Sequence, residues 1–197
     1  MNKKVSPCSP DNPPDLLCPG LEPVQLRHQN PWFKVLSRGT YFSIEYERPQ
    51  VVVLPILEER AIVMIRVKRP LIADCPLELP AGDSLPGERP REAARREFIE
   101  ETGITIEDPL RFVSILPVSE MPGRMPVLLS IFRVDVRQGE FESRFSPDAE
   151  ITSVEAIPFP EAKRKLLNGE IYLCSPMAII GRFLLNGSSC GQRGGSQ

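Results

Sequence analysis

The sequence predicts an α+β fold built on a mixed β-sheet, and three observations carry that prediction. Apolar, β-branched runs lie on both sides of one strongly helical stretch, Arg91–Glu101. No βαβ unit repeats along the chain, so a doubly wound parallel sheet is not indicated. The 197 residues, 41% apolar and 25% charged, suffice for one domain with a sizeable core plus a small N-terminal extension.

Taken in order, residues 1–24 are Pro-rich and polar and are expected to be disordered. Residues 25–48 form an N-terminal strand extension: NPWFKVLSRGTYFSIEYERPQ reads as two short strands around a turn at Ser37-Arg38-Gly39. The main domain covers 49–187. It opens with VVVLPILEE (51–59) and AIVMIRVKR (61–69), two strands joined by a turn near Glu58-Glu59-Arg60. After the helical stretch come a strand around Phe112–Leu116, a Pro/Gly/Met loop at 120–126 and a strand at 127–136. An acidic loop at 138–150 reads as mobile, and a strand follows at 151–159. Helices at 160–171 and 175–187 close the domain, the second capped by Ser175 with Pro176 behind it. The tail, 188–197, is expected to be disordered.

The helical stretch carries the chemistry. Gly82 and Gly87 permit tight backbone in the loop before it, Pro90 suits its first turn, and Gly103 sits where a C-cap glycine belongs. Glu97 and Glu101 are i, i+4, and Glu97 and Glu100 are i, i+3, so all three share one face. They repel one another near a helix C-terminus, where the macrodipole also disfavours anions. Such a cluster calls for a cationic partner, and hard carboxylate oxygens suit Mg²⁺ or Mn²⁺. The ordinary alternative is a solvated acidic helix with pairs such as Arg96 with Glu92 or Glu100.

Composition excludes several classes. A formal net charge of −2 gives no bulk attraction to nucleic acid or membrane surface. No apolar run is long enough to span a bilayer, and MNKKVSPCSP has no apolar stretch behind its lysines, so a cytoplasmic protein is expected. The five cysteines are scattered without a C-x-x-C, which argues against zinc or a disulfide framework. The single histidine, His28, leaves little for a histidine-based mechanism.

The whole stretch GDSLPGERPREAARREFIEETGI, 82–104, reads G-x5-E-x7-R-E-U-x-E-E-x-G-U with U apolar, and it closely resembles the Nudix box. That resemblance implies the Nudix fold, a mixed sheet sandwiched between helices. It implies hydrolysis of a nucleoside diphosphate linked to another moiety. By the same resemblance Glu97, Glu100 and Glu101, with the carbonyl of Ala81, would hold Mg²⁺ or Mn²⁺. Glu100, Glu101 and Arg96 would serve catalysis, Glu88 and Arg96 would pair, and Gly82, Glu88 and Gly103 would shape the box. Among the acidic residues of the later loop, Glu150 is the favoured base. Arg66 and Arg69 would contact phosphate or ribose, and an aromatic such as Trp32 or Tyr41 would stack on the base. ELPAG before the box and MPG at 121–123 resemble ADP-ribose or NDP-sugar pyrophosphatases, which also implies a homodimer. GDP-mannose or dinucleoside polyphosphates are the alternative substrates. A Nudix-fold module that binds a nucleotide without cleaving it is the alternative of a different class.

Overall fold

The computed structural model describes residues 5–18 and 20–188. Of the tail expected to be disordered, residues 189–197 lie outside the described residues, as does Cys190. The chain forms two compact units interleaved in sequence. Of the described residues, one takes those up to Val53 with Ala81–Phe98 and Ile106–Arg133; the other takes Leu54–Pro80, Ile99–Thr105 and those from Val134 on.

In the first unit an antiparallel sheet is built from β1 (Val24–Gln29), β2 (Phe33–Arg38) and β3 (Tyr41–Tyr46), in that order. The β2–β3 hairpin turns where the sequence places it, with Gly39 at φ +58, a conformation glycine adopts without steric cost. β1 is an addition to the two strands read from sequence. Each of its six residues is exposed, so no apolar alternation announces it; pairing with β2 makes it a strand.

Seven strands form the larger sheet. β4 (Gln50–Leu57), β5 (Ala61–Val67), β8 (Val113–Val118), β9 (Leu129–Val136) and β10 (Ile151–Pro158) run in the order β10-β5-β4-β9-β8. β6 (Leu77–Glu78) pairs with β5, and β7 (Ala81–Asp83) with β4. The β10–β5, β4–β5 and β8–β9 pairs are antiparallel. Glu58, just past the end of β4, donates its N–H to the carbonyl of Val136, the last residue of β9. The C-terminal ends of these two strands therefore meet, the strands run parallel, and the sheet is mixed. Pro117 is accommodated because β8 is the edge strand and its register slips between Ile115 and Val118.

Both central strands read as near-continuous apolar runs because both faces are covered. Val51, Val53, Ile62, Val63 and Met64 have no exposed surface. The turn between β4 and β5 uses Glu58 and Glu59 at φ 48° and 50°, with Arg60 N–H bonded to Leu57 O. Two left-handed residues give the turn the twist that the flanking strands need.

The helices are α1 (Pro90–Thr102), α2 (Gln138–Glu142), α3 (Phe159–Leu167) and α4 (Cys174–Ser188). α2 corrects the reading of 138–150 as one mobile loop. Its five residues are too few to show helical periodicity; they are held by Glu140, which accepts from Arg137 N–H at 2.8 Å, and Glu58, which accepts from Gln138 N–H at 2.7 Å. In the first unit Ala93, Ala94 and Phe98 are fully buried, and the Phe98 ring meets Phe112 edge-on at 5.8 Å. In the second, Phe159 and Phe183 make the same edge contact between α3 and α4 at 5.4 Å. Among the described residues Cys8, Cys18, Cys75 and Cys174 are free thiols.

Candidate active site

The loop and helix from Gly82 onward are cross-linked by one guanidinium. Arg96 donates through Nε to Glu88 Oε1 and through Nη2 to Glu88 Oε2, both at 3.0 Å. Its Nη2 also donates to the Asp83 carbonyl at 2.8 Å, and its Nη1 to Glu97 Oε1 at 2.7 Å. The fork geometry of arginine permits this set; a lysine could not supply it. Arg96 thereby ties the box loop to α1 and aims the Glu97 carboxylate. Glu88 further accepts the Leu85 N–H at 2.8 Å.

These contacts set the charge states. Burial opposes ionisation of Glu88, but the hydrogen bonds from Arg96 and Leu85, with the charge of Arg96, outweigh it and leave its pKa lowered. Arg96 is held protonated by Glu88 first and by Glu97 next. A carboxylate with a lowered folded pKa stabilises the fold above its unfolded value, about 4.3, and loses that contribution as pH falls through the folded value. Urea unfolding should therefore show a steeper loss of stability below about pH 4.3 in the wild type than in Glu88→Gln. Parallel acid limbs would contradict it.

Gly82 matters for space. It lies in β7, paired with Val51, and a Cβ there would sit 2.2 Å from Glu97 Cδ and within 2.5 Å of both carboxylate oxygens. The obstacle is the end of a flexible side chain, so it moves rather than breaking the fold. Gly82→Ala is expected to lower turnover about a hundredfold by displacing Glu97. The melting temperature should stay within a few degrees, and an unchanged kcat would refute the argument.

α1 runs unbroken through Thr102, so Glu100 and Glu101 follow Glu97 on its last turns. In the second unit, Asp148 N–H donates to the Glu100 carbonyl and Phe145 N–H to the Gly103 carbonyl, both at 3.1 Å. The loop that ends at Glu150 is thus laid along the end of α1. Glu150 is exposed, and its carbonyl accepts from Lys68 N–H at 3.1 Å. Arg69 makes a two-pronged pair with Glu78, at 2.7 and 2.9 Å. That pair chiefly raises its pKa against burial, and the charges of Glu78, Glu101 and Glu150 add to it. Arg69 therefore feels both Glu101 and Glu150.

Arg66 is engaged by Glu155 at 2.8 Å and by the Cys75 carbonyl at 3.2 Å. Trp32 and Tyr41, 70% and 62% exposed, lie at opposite ends of the β2–β3 hairpin. Five residues of extended chain separate the ends, about 17 Å, so the two rings cannot hold one base from the same chain. Tyr41 lines a cleft of ≈ 360 Å³ with Phe42, Pro122 and Gly123, which brings it to the 120–126 loop.

Glu78 escaped the sequence reading. The signal was there: a charged residue inside the apolar run PLELPAG, 8% exposed, must find a partner.

The donor set suits a hard divalent cation, since carboxylates and a backbone carbonyl are oxygen ligands. Among the described residues no three His, Cys, Asp or Glu side chains already converge in metal-holding geometry. Glu97 faces Arg96 instead, and an ion there would share that carboxylate with the guanidinium.

A family model of the NUDIX domain matches residues 47–173, and the chain belongs to that family. It is similar to the ADP-ribose pyrophosphatase of Bacillus subtilis (strain 168), with 27% identity over 122 residues, 62% of this chain. The match spans 64% of that relative's length. A solved structure described as an ADP compounds hydrolase superposes with a TM-score of 0.63 at 19% identity, covering 94% of this chain and 99% of that one. At that identity the likeness is one of fold, and it places the mixed sheet and its helices in the α+β Nudix fold.

Proposed function

We propose that this chain is a metal-dependent pyrophosphohydrolase that cleaves ADP-ribose, or a related NDP-sugar, to a nucleoside monophosphate and a sugar phosphate. The observation that carries the reading is the Arg96 cross-link, which fixes the box loop and presents Glu97 beside Gly82. Glu97, Glu100 and Glu101, with the Ala81 carbonyl, would hold Mg²⁺ or Mn²⁺. When bound, such an ion neutralises phosphate oxygens and lowers the pKa of water.

The chain's own groups do the rest. Arg96 positions Glu97. Glu150 accepts the proton of the attacking water, and the hydrogen bond from Asp148 to Glu100 supports its placement beside the end of α1. Arg69, braced by Glu78, and Arg66, braced by Glu155, offer guanidinium edges to phosphate or ribose. Trp32 or Tyr41 stacks on the base. The protein would act as a cytoplasmic homodimer; the exposed Leu26, Tyr41 and Phe42 of the three-stranded sheet, with Trp32 just ahead of β2, support the dimer. Sedimentation showing only a 22.1 kDa species at micromolar concentration would refute the dimer.

The test is hydrolysis of ADP-ribose, ADP-glucose, GDP-mannose, diadenosine polyphosphates and NADH, with Mg²⁺ and Mn²⁺ separately. AMP released chiefly from ADP-ribose supports the reading. Preference for GDP-mannose or a dinucleoside polyphosphate keeps the reaction and overturns the substrate. No metal-dependent turnover favours a nucleotide-binding module.

A further inference from the structure

The Pro-rich segment before β1 contains no helix or strand among its described residues, yet two elements and one loop of the first unit fasten it. Ser114 Oγ on β8 donates to the Cys8 carbonyl at 2.8 Å. Arg91 N–H, in the first turn of α1, donates to Pro10 O at 3.0 Å, and Leu17 N–H donates to Pro126 O at 2.7 Å. Between the last two anchors the segment forms part of a wall. Asp11 and Pro13 line a cleft of ≈ 470 Å³ together with Arg48, Ser84, Pro86 and Arg89.

One residue of this lining carries a buried hydroxyl without a partner. Ser84 is 2% exposed, and its hydroxyl makes no hydrogen bond among the described residues. A buried hydroxyl without a partner costs free energy, so a native structure that keeps one commonly pairs it with water or a ligand. The other lining groups say what kind. Pro13 and Pro86 offer flat apolar faces, Asp11 an acceptor, and Arg48 and Arg89 donors. Asp11 Oδ1 stands 4.0 Å from Arg89 Nη1, beyond hydrogen-bond distance, so a ligand hydroxyl can engage both. Apolar faces beside interspersed donors and acceptors match a hydroxylated ring, whose C–H faces are apolar and whose rim is polar.

Resting on the function given above, we infer that this cleft receives the sugar of the moiety beyond the pyrophosphate, with Ser84 and the strap residue Asp11 as its specificity-determining contacts. The Pro-rich segment is then part of the binding site, and the chain ahead of β1 selects substrate.

Full-length Asp11→Ala and Ser84→Ala, each compared with wild type, test this on ADP-ribose and on an alkyl ester of ADP that lacks the sugar. Asp11 is exposed, so its variant keeps the experiment decisive if Ser84→Ala fails to fold. The expected result is a KM for ADP-ribose about tenfold higher in each, with kcat within about twofold and KM for the alkyl ester unmoved. Equal effects on both substrates, or none, overturn the assignment. If wild type hydrolyses neither, the proposed reaction falls while the cleft is still tested by calorimetric titration with ribose 5-phosphate. A Kd about tenfold weaker in the variants sustains the assignment; equal affinities, or no binding to wild type, overturn it.

Discussion

Glu101→Gln is expected to lower metal-dependent turnover roughly a thousandfold while the fold survives. The substitution keeps shape and removes charge. An amide oxygen is a poor replacement for a carboxylate at a hard divalent ion, and the transition-state charge stabilisation supplied by such an ion is worth several kcal/mol. The fold should tolerate the change because Glu101 lies in the last turn of α1, where the helix dipole disfavours an anion, and because Glu97 is a like charge one turn away. Loss of the repulsion is offset by loss of the attraction between Glu101 and Arg69, so the metal-free melting temperature is expected to stay within a few degrees of wild type. The second readout separates ligation from other roles: Mn²⁺ should raise the melting temperature of the wild type and not of the variant. A variant that keeps turnover within tenfold of wild type would remove Glu101 from the reaction. One that still gains stability from Mn²⁺ would remove it from the metal.

The parts of this protein that were legible in its sequence are those whose signals are local. α1 is bounded by Pro90 and followed by Gly103, and both ends could be placed from those residues alone. β4 and β5 are apolar runs rich in Val and Ile around a short charged turn. What escaped depends on partners distant in sequence. β1 has six exposed residues and becomes a strand only against β2. The short α2 is fastened by Glu58, 80 residues away. The candidate site divides the same way. The acidic face of α1 follows from i, i+3 and i, i+4 spacing, whereas the pairing of Arg69 with Glu78 joins a strand end to a two-residue strand and has no periodic signature. The separation of Trp32 from Tyr41 follows from hairpin register, which an aromatic count does not contain.

Gly103→Ala is expected to cost about 3 kcal/mol of stability and to lower the melting temperature by roughly 10 °C. Two effects combine. Gly103 has φ +70, where an alanine Cβ is strained by about 1 kcal/mol. A Cβ there would also lie 2.0 Å from the Phe145 carbonyl oxygen and 2.8 Å from its carbonyl carbon. That obstacle is backbone, so relief requires the 145–150 loop to move away from α1. Gly87 supplies the control: its φ is +79, but a Cβ there meets nothing within 4 Å, so Gly87→Ala should show the strain alone, about 1 kcal/mol. The difference between the two variants isolates the contact between the helix end and the loop. Displacing the loop should also break the bonds from Phe145 to Gly103 and from Asp148 to Glu100, shifting Glu150 with them. Hydrogen exchange should then accelerate at Phe145 and Asp148 in Gly103→Ala, and turnover should fall beyond what the lost stability explains. Equal melting temperatures for the two alanine variants would show that the loop yields at no cost, and the docking of the 145–148 segment against the end of α1 would lose its energetic basis.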